Sequence, residues 1–575
     1  MGAVLGLGGP YFHDSSACVV IDGAIVAFAE EERFSRRKHH RDSRDCSAAA
    51  AYCLSEAGIT LTEVDEVAIA FNPGWPRRAE LTTDDQLIAD MLDPRMFDHH
   101  SPRRLTVVEH HLAHAASAFH PSGFGDAAVL VVDGSGDGIS TTLAHGTSDG
   151  LRILRTWPFT QSLGWFYETV AEHLGLGDWT SAGKLMGLAA YGTPHYDLPF
   201  LSPEPGGYRL DLTRCGIAPD EDVEDHYTDL GYYRRLKNAY TQVYTDLGVA
   251  PHPRARTYEP AHGLVRADSS YHRDHADLAA SAQLLLEECL VSLARAALAE
   301  TGCRRLCIAG GVGLNCTANG RLARLPEVAQ LFVQPAAGDS GCAIGAALHV
   351  AHRRGEFALP GPAMTTAALG PSFTDAQVHA LLDDTQQSYS EHGGDIAAVL
   401  AARLADGAVA GWFQGRMEAG PRALGQRSIL ADPRDRVTRD RINRDIKHRE
   451  HWRPLAPALH TRAAPALLGT DTGYPFMTVA TEATGEARRH LAAAVHVDGS
   501  LRPQTVPADL PGPYPALLDA FAAASGAPPA LINTSFNHEA EPIVCTPRDA
   551  LRTFHSGPLD VLAIGGFLLD KHRRP

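Results

Sequence analysis

The chain is poor in cysteine: there are ten in 575 residues, and none forms a Cys-x-x-Cys pair. Cys303 and Cys307 come nearest, in a run that otherwise reads as a buried strand. Scattered thiols of this kind argue against a disulfide framework or a structural zinc site and fit a reducing compartment. Long apolar runs are missing too, since no stretch approaches the roughly 18 consecutive apolar residues that span a bilayer. The start, Met1-Gly-Ala-Val-Leu-Gly6, lacks the basic and apolar blocks of a secretory signal, and position 6 is Gly where a myristoylation motif has Ser or Thr. The expectation is a soluble, cytoplasmic protein with no membrane partner. Positive charge is in deficit, with Lys+Arg 51 against Asp+Glu 68 and a net charge of −17. Grip on a nucleic-acid backbone comes from clustered cations that release counterions, so no nucleic-acid partner is expected.

What is present is an ordinary globular composition, 44% hydrophobic and 21% charged. At roughly 150 residues per domain the length allows about three to four domain-sized units. Residues Val4 to Ala29 read as a strand, a glycine turn carrying His13 and Asp14, a strand over Ser16 to Ile21, an Asp22-Gly23 hairpin turn and a strand over Ala24 to Ala29. Asp-Gly between apolar runs is a strong hairpin signal. About 120 residues later the pattern recurs. Ala127 to Val132 is an apolar run, bounded by Asp133-Gly-Ser-Gly136-Asp137-Gly138 and followed by a Thr-rich strand to Gly146. Two readings follow: two similar lobes facing a cleft, or two unrelated hairpins.

Two strand–glycine–helix junctions come next, Leu306 to Ala309 into Gly310-Gly311-Val-Gly313-Leu-Asn315, and Leu331 to Val333 into Gly338-Asp339-Ser-Gly341 and an Ala-rich helix. Free N–H groups at such helix starts suit phosphate or ribose. Periodicity fades from Glu356 to Pro371 into Pro, Gly, Ala and Thr. The expected division is therefore a domain over 1–355, a linker over 356–372 and a second α/β domain over 373–575, which begins with a helix (Ile396 to Leu404) and a strand (Val409 to Phe413).

His110 and His114 stand at i and i+4, so on a helix they share one face about one turn apart; His111 points elsewhere. Such a pair is either chelating or a solvated helix face. If the pair chelates, Asp133 and Asp339, each at a strand end beside glycine, are candidates to complete a His₂Asp₂ set, a mixture that favours Fe(II), Mn or Zn over Mg or Ca. In the C-terminal part, Arg416, Glu418, Arg422, Arg427, Asn443, Lys447, Arg449 and Arg453 gather many cationic groups within about 40 residues of an acidic chain. Guanidinium forks hold phosphate oxygens in pairs, and the Gly420-Pro421-Arg422-Ala-Leu-Gly425 turn shapes them; Arg434 to Arg441 reads as solvated surface. Asn533-Thr-Ser535-Phe-Asn537 is a further run of small polar side chains after an Ala- and Pro-rich lead.

The stretches Gly6-Leu-Gly-Gly-Pro-Tyr-Phe-His13-Asp14, Glu30-Glu-Glu-Arg-Phe-Ser-Arg-Arg-Lys38, His110-His-Leu-Ala-His114, Asp133-Gly-Ser-Gly-Asp137-Gly138 and Lys184-Leu-Met-Gly-Leu-Ala-Ala-Tyr-Gly192 together resemble O-carbamoyltransferases of the nodulation-protein U and cephamycin type. The resemblance covers nearly the whole chain. It implies a duplicated actin-like (ASKHA) ATPase fold followed by a YrdC-like α/β domain. It places the metal pair on His110 and His114 with Asp133 and Asp339, Fe(II) foremost among the ions, and the hydroxyl-deprotonating base on His13. The nucleotide junction of the first site would comprise Gly136, Asp137, Gly310, Gly311, Gly313 and Asn315. Carbamoyl phosphate and ATP with Mg²⁺ would meet Arg416, Arg422, Arg427, Lys447, Arg449, Arg453, Asn533, Ser535 and Asn537.

The implied chemistry makes carbamoyladenylate and pyrophosphate in the C-terminal domain. The carbamoyl group then passes to a hydroxyl of an antibiotic, polyketide or sugar in the N-terminal metal site. Alternatives are a tRNA threonylcarbamoyl-type enzyme, against which the −17 charge speaks, and an actin-like sugar kinase or ATPase, which leaves the histidine pair and the arginines without a use. Lys184 is either near a nucleotide or a helix-capping lysine, and Asp14 either orients His13 or caps its turn. Tyr227, Tyr232, Tyr233, Tyr240 and Tyr244 in the region 194–273 either line an acceptor pocket or pack a helical insertion. A homodimer is implied by the resemblance alone.

Overall fold

The computed structural model describes residues 2–9, 13–72, 84–217, 231–252, 271–538 and 540–571. Pro10, Tyr11 and Phe12 of the first glycine turn, Tyr227, and the side chains of Tyr232 and Tyr233 lie outside the described residues. The chain divides into two compact units, Met1–Ala27 with Asp42–Met364, and Phe28–Arg41 with Thr365–Pro575. The second boundary falls inside the expected linker. The segment Phe28–Arg41, expected in the first domain, instead belongs to the second unit. Its side chains explain this: Arg33 donates to Gly420 O at 2.8 Å, and Arg36 donates to Pro542 O at 2.8 Å and Ile543 O at 2.7 Å. Phe34 packs on Met417, Ile543 and Cys545.

The strands β1 (Ala3–Gly8), β2 (Ser16–Ile21), β3 (Ala24–Glu30, of which Ala24–Ala27 fall in the first unit), β4 (Glu66–Ile69) and β5 (Leu105–Val107) form a sheet in the order β3-β2-β1-β4-β5. The strands β6 (Ala127–Gly136), β7 (Ile139–Thr147) and β8 (Gly150–Pro158), a separate hairpin of β9 (Leu201–Glu204) and β10 (Gly207–Leu210), then β11 (Arg305–Ala309) and β12 (Gln330–Val333) follow. The second sheet runs β8-β7-β6-β11-β12, the same order counted from its own first strand. In each sheet the first strand pairs antiparallel with the second and parallel with the fourth. The duplicated-lobe reading therefore stands over the two-hairpin one. Both Asp-Gly turns are left-handed at both residues, Asp22 (φ +48) with Gly23 (φ +79) and Asp137 (φ +50) with Gly138 (φ +82), the geometry that matches strand twist in a two-residue hairpin. One boundary differs from expectation: Asp133 to Gly136 belongs to β6, whose register with β7 shifts between Val132 and Gly136, so the turn is Asp137-Gly138 alone.

Between the two sheets lie the helices His110–Phe119 and Cys342–Arg353, the first packed on β6 and β11, the second on β1 and β2, and each on the other. Both are rich in Ala, and the second carries Gly345, which lets backbones approach. A Cβ on Gly345 would lie 1.8 Å from Ala113 O, and one on Gly6 would lie 2.0 Å from Ala343 O. This close packing brings the starts of the two helices to one place.

The second unit is built on a sheet of β13 (Ser390–Glu391), β14 (Ala410–Phe413), β15 (Arg427–Ala431), β16 (Ala456–His460), β19 (Gln504–Val506), β20 (Ala530–Ser535), β21 (Val561–Ile564) and β22 (Phe567–Asp570), with a small pair of β17 (Thr481–Glu482) and β18 (Ser500–Leu501) beside it. The order is β13-β22-β21-β14-β15-β20-β16-β19. Alternate residues of one strand feed opposite cores: Ile429 joins Ile532 and Leu562 on one face, while Leu430 joins Trp412 and Leu531 on the other. Among the described residues no helix is long and apolar enough to cross a membrane.

Candidate functional site

His110 and His114 occupy the first turns of the helix His110–Phe119 and are fully buried, so the solvated-face reading falls. Their Nε2 atoms face each other at 3.0 Å. Asp133, on β6 just past the apolar run, places Oδ2 at 3.4 Å from His110 Nε2 and 3.8 Å from His114 Nε2. Asp339, at the start of the turn that leads into the helix Cys342–Arg353, places Oδ1 at 3.7 and 3.5 Å from the same two atoms. All four donors lie within 4.8 Å of one another, and Cys342 Sγ lies as near to the two histidines. A divalent ion with bonds of about 2.1 Å spaces its ligands about 3.0 to 3.5 Å apart, so the donor set fits such an ion. The imidazole and carboxylate mixture suits Fe(II), Mn or Zn.

Charges in this cluster are tightly coupled. Burial works against the imidazolium of His110, yet the Asp339 and Asp133 carboxylates outweigh it and lift its pKa to about 9. Burial likewise opposes ionisation of Asp133, but the hydrogen bond from His110 and the charges of His114 and His110 hold it well below the usual carboxylate range. His111 does point elsewhere: Nε2 meets Ile139 O and Nδ1 meets Thr142 Oγ1, each at 3.0 Å. Burial and the neighbouring His110 charge push His111 down to about 3, which keeps it neutral.

His13 stands beside the cluster, its Nδ1 3.1 Å from Asp14 Oδ2 and 3.9 Å from Asp339 Oδ2. Asp14 has φ +53 and so makes the turn as well as orienting the ring. Burial would lower the His13 pKa, but the Asp14 hydrogen bond and the Asp339 and Asp14 charges raise it overall. The Trp179 ring lies 4.5 Å from the His13 ring, a neighbour that no motif announced.

Several residues expected at a nucleotide lie against the cluster. Gly136 leaves room for His110, since a Cβ there would lie 2.0 Å from the His110 ring. Asp137 accepts the backbone N–H of His110 at 2.7 Å and that of Asn72 at 3.0 Å. Gly310, at φ +87, lets its strand end pass Val132 O, and the Gly311 N–H donates to Asp133 Oδ1 at 2.7 Å. Gly313 is buried at the same junction. Asn315 caps the helix Cys316–Ala323 by accepting from Ala318 N–H at 3.1 Å and exchanges amide hydrogen bonds with Gln283. Lys184 is buried on the helix Ala182–Ala189. Tyr240 and Tyr244 are fully buried, Tyr240 stacked on Phe200 and Tyr244 bonded to Thr169, so for these two the packing role is the one observed.

In the second unit the buried Glu418 carboxylate organises the arginine turn. Its Oε1 accepts the N–H groups of Leu424 and Gln426 at 2.7 Å and of Arg427 at 3.0 Å. Arg422 sits half-buried on this turn. Arg427 departs from expectation: it is fully buried and stacked on Phe413, and its guanidinium donates to the carbonyls of Gln414, Gly415, Gln426 and Pro371. Those donors are spent on the backbone. Lys447 Nζ gathers the second motif, meeting Asn537 Oδ1 at 2.7 Å, Ser535 Oγ at 3.1 Å and the Ser535 carbonyl. Asn533 turns instead to Gln504, at 2.9 Å. Arg416 donates to the carbonyls of Leu369 and Gly370, Arg449 donates to Asn443 Oδ1 at 2.8 Å, and Arg453 lies 3.8 Å from Glu450.

Family models describing the carbamoyltransferase N-terminus and C-terminus match residues 3–88 and 83–348, and residues 401–571. Nodulation protein NolNO of Sinorhizobium fredii NGR234 is 36% identical, over 99% of this chain and 80% of its own length. Nodulation protein NolO of Bradyrhizobium diazoefficiens is 37% identical, over 81% of this chain and 79% of its own. Among solved structures, full-length HypF in its phosphate- and nucleotide-bound form aligns with 61% of this chain and 46% of its own at 13% identity, with a TM-score of 0.35. Two family models spanning most of the chain, and relatives this similar along their length, place the protein in the carbamoyltransferase family, as an enzyme.

Proposed function

We propose that the chain is an ATP-dependent O-carbamoyltransferase of small molecules. The observation that carries this is the convergence of His110, His114, Asp133 and Asp339 with His13 beside them. In the first step, the second unit, taken as YrdC-like, splits carbamoyl phosphate with water into carbamate and inorganic phosphate; a carbamate oxygen then attacks the α-phosphorus of ATP held with Mg²⁺, the bond to the β-phosphate breaks, and carbamoyladenylate forms as pyrophosphate leaves. Arg416, Arg422, Arg449 and Arg453 supply charge for the phosphates, and Lys447 orders Ser535 and Asn537 at the site edge.

In the second step an acceptor hydroxyl oxygen attacks the carbamoyl carbon. The bond from that carbon to the phosphate oxygen breaks, AMP leaves with the electron pair, and a carbamate ester remains. His13 takes the hydroxyl proton through Nε2, because Asp14 holds Nδ1 at 3.1 Å and fixes the ring. A divalent ion held by the two histidines and two aspartates supplies Lewis-acid stabilisation of the developing charge when bound. The acceptor is a hydroxyl of an antibiotic, polyketide or sugar.

One incubation tests the reading. Purified protein with ATP, carbamoyl phosphate and Mg²⁺ is followed for pyrophosphate and carbamoyladenylate. Arg422→Ala is expected to abolish both products, whereas His114→Ala is expected to keep them and lose transfer. Release of ADP in place of pyrophosphate, or loss of the first step in both variants, would refute the assignment.

A further inference from the structure

The second sheet of the first unit ends in a cluster that the carbamoyl chemistry does not use. Asp126 stands one residue before β6, His145 lies on β7, and Cys303 stands two residues before β11. The sheet order β7-β6-β11 makes these three segments neighbours. Register puts them at one end, because Ala128 pairs with His145 on one side and Leu306 on the other. His145 Nε2 is 2.7 Å from Asp126 Oδ1 and 3.7 Å from Cys303 Sγ, and the three donor atoms lie within 4.8 Å of one another.

A proton relay through histidine uses its two ring nitrogens for two partners. Here the carboxylate and the thiol converge on the same nitrogen, which carries at most one proton. Three different donors pointing at a common centre is the arrangement a cation needs. The inner half is built: Cys303 is 7% exposed, follows the left-handed Gly302 that ends the long helix Arg273–Thr301, and donates its N–H to Thr301 Oγ1 at 3.2 Å. The outer half is open, with the Asp126 side chain 54% exposed. The nearby Arg305 guanidinium donates to the backbone carbonyl of Asp126 and not to its carboxylate.

We propose that Asp126, His145 and Cys303 bind a second divalent ion of the zinc class, with a fourth position left to solvent. Thiolate, imidazole and carboxylate together select Zn²⁺ or Co²⁺ over Mg²⁺ and Ca²⁺. Burial would raise the Asp126 carboxyl, but hydrogen bonds from His145 and Cys303 hold it below the ordinary value, so the carboxylate is ready as a ligand. Burial pushes the Cys303 thiol up, so the ion binds in exchange for a proton and more tightly as pH rises. Bound there, the ion ties the end of the long helix to two strands.

The test reloads chelator-treated full-length protein with Co²⁺ and counts bound metal after desalting, in the wild type, Cys303→Ser and His145→Gln. The wild type is expected to hold one equivalent more than either variant. The difference spectrum against Cys303→Ser is expected to show a thiolate-to-cobalt charge-transfer band; a variant difference is needed because Cys342 lies near the other cluster. Zn²⁺ is expected to slow alkylation of Cys303 by iodoacetamide at least tenfold, read by peptide mass. Equal metal content in the wild type and Cys303→Ser, or alkylation of Cys303 indifferent to Zn²⁺, would overturn the proposal.

Discussion

The carboxylate of Asp137 accepts the backbone N–H of His110 at 2.7 Å, from the turn of the β6–β7 hairpin. Glu109, the residue that precedes the helix, makes no side-chain cap bond, so a group distant in sequence closes the helix start. A negative charge there also suits the helix dipole. Asp137→Ala is expected to weaken divalent-ion binding about 10- to 100-fold, the usual cost of removing a group that orients a ligand. Helix stability should fall by about 1 kcal/mol. Asp137→Asn, whose amide oxygen still accepts, should recover most of the affinity in a metal titration.

Gly310 joins β11 to the turn whose Gly311 N–H donates to Asp133 on β6. Its φ is +87, and a Cβ at this position would lie 2.2 Å from Val132 O, so there is no room for a side chain. Gly310→Ala is expected to cost about 2 to 3 kcal/mol in denaturant unfolding, from backbone strain and the clash together. Metal content should fall with it, since the adjacent Gly311 N–H would lose Asp133. A variant with unchanged metal content would show that the junction does not position that carboxylate.

Arg427 and Arg422 lie five residues apart and have different tasks. Arg427→Ala leaves the buried carbonyls of Gln414 and Pro371 and the partly exposed one of Gly415 without their donor and removes the stack on Phe413. The expected loss is about 3 kcal/mol or more in unfolding of the second unit. Lysine cannot reach all these acceptors, so Arg427→Lys should not rescue it. Arg422→Ala should leave the urea midpoint nearly unchanged while stopping pyrophosphate release.

Acid should unfold the first unit through a histidine group away from the metal cluster. Burial pushes His120 down to about 3 and His349 down to about 4, with His352 and Arg353 adding like charge. An unfolded chain takes up these protons below about pH 6.5, whereas the folded chain resists until pH falls to its lowered values. The sign is a stability that is full above about pH 6.5 and declines as pH falls toward about 3. His120→Leu removes one such group and is expected to move the acid-unfolding midpoint, followed by circular dichroism, to lower pH. A midpoint that stays put would exclude His120 as a contributor.

Local patterns in the sequence were enough for the strands and hairpins. The Asp22-Gly23 turn follows from two residues that tolerate left-handed backbone between apolar runs, and the spacing of His110 and His114 follows from helix periodicity alone. The recurrence of one module after about 120 residues announced the duplicated sheet order, because each copy carries its own apolar strands and acidic glycine turn. The resemblance had already grouped Asp133 and Asp339 with the histidine pair; what lay beyond reach were the other roles that depend on a partner away from the local pattern. Asp137 and Gly136 look like parts of a phosphate turn until the fold sets His110 against them, and Arg427 looks like a phosphate fork until its donors are seen to be taken by four carbonyls. Cys303 reads as one more buried thiol until the sheet order sets it beside His145 and Asp126. Strand and helix positions, and the stock of side chains suited to metal and phosphate, were legible along the chain because they depend on near neighbours and on side-chain chemistry. Which of those side chains share a centre, beyond the four that the resemblance grouped, was not, because strand order and helix packing bring together atoms from about a dozen to more than a hundred residues apart.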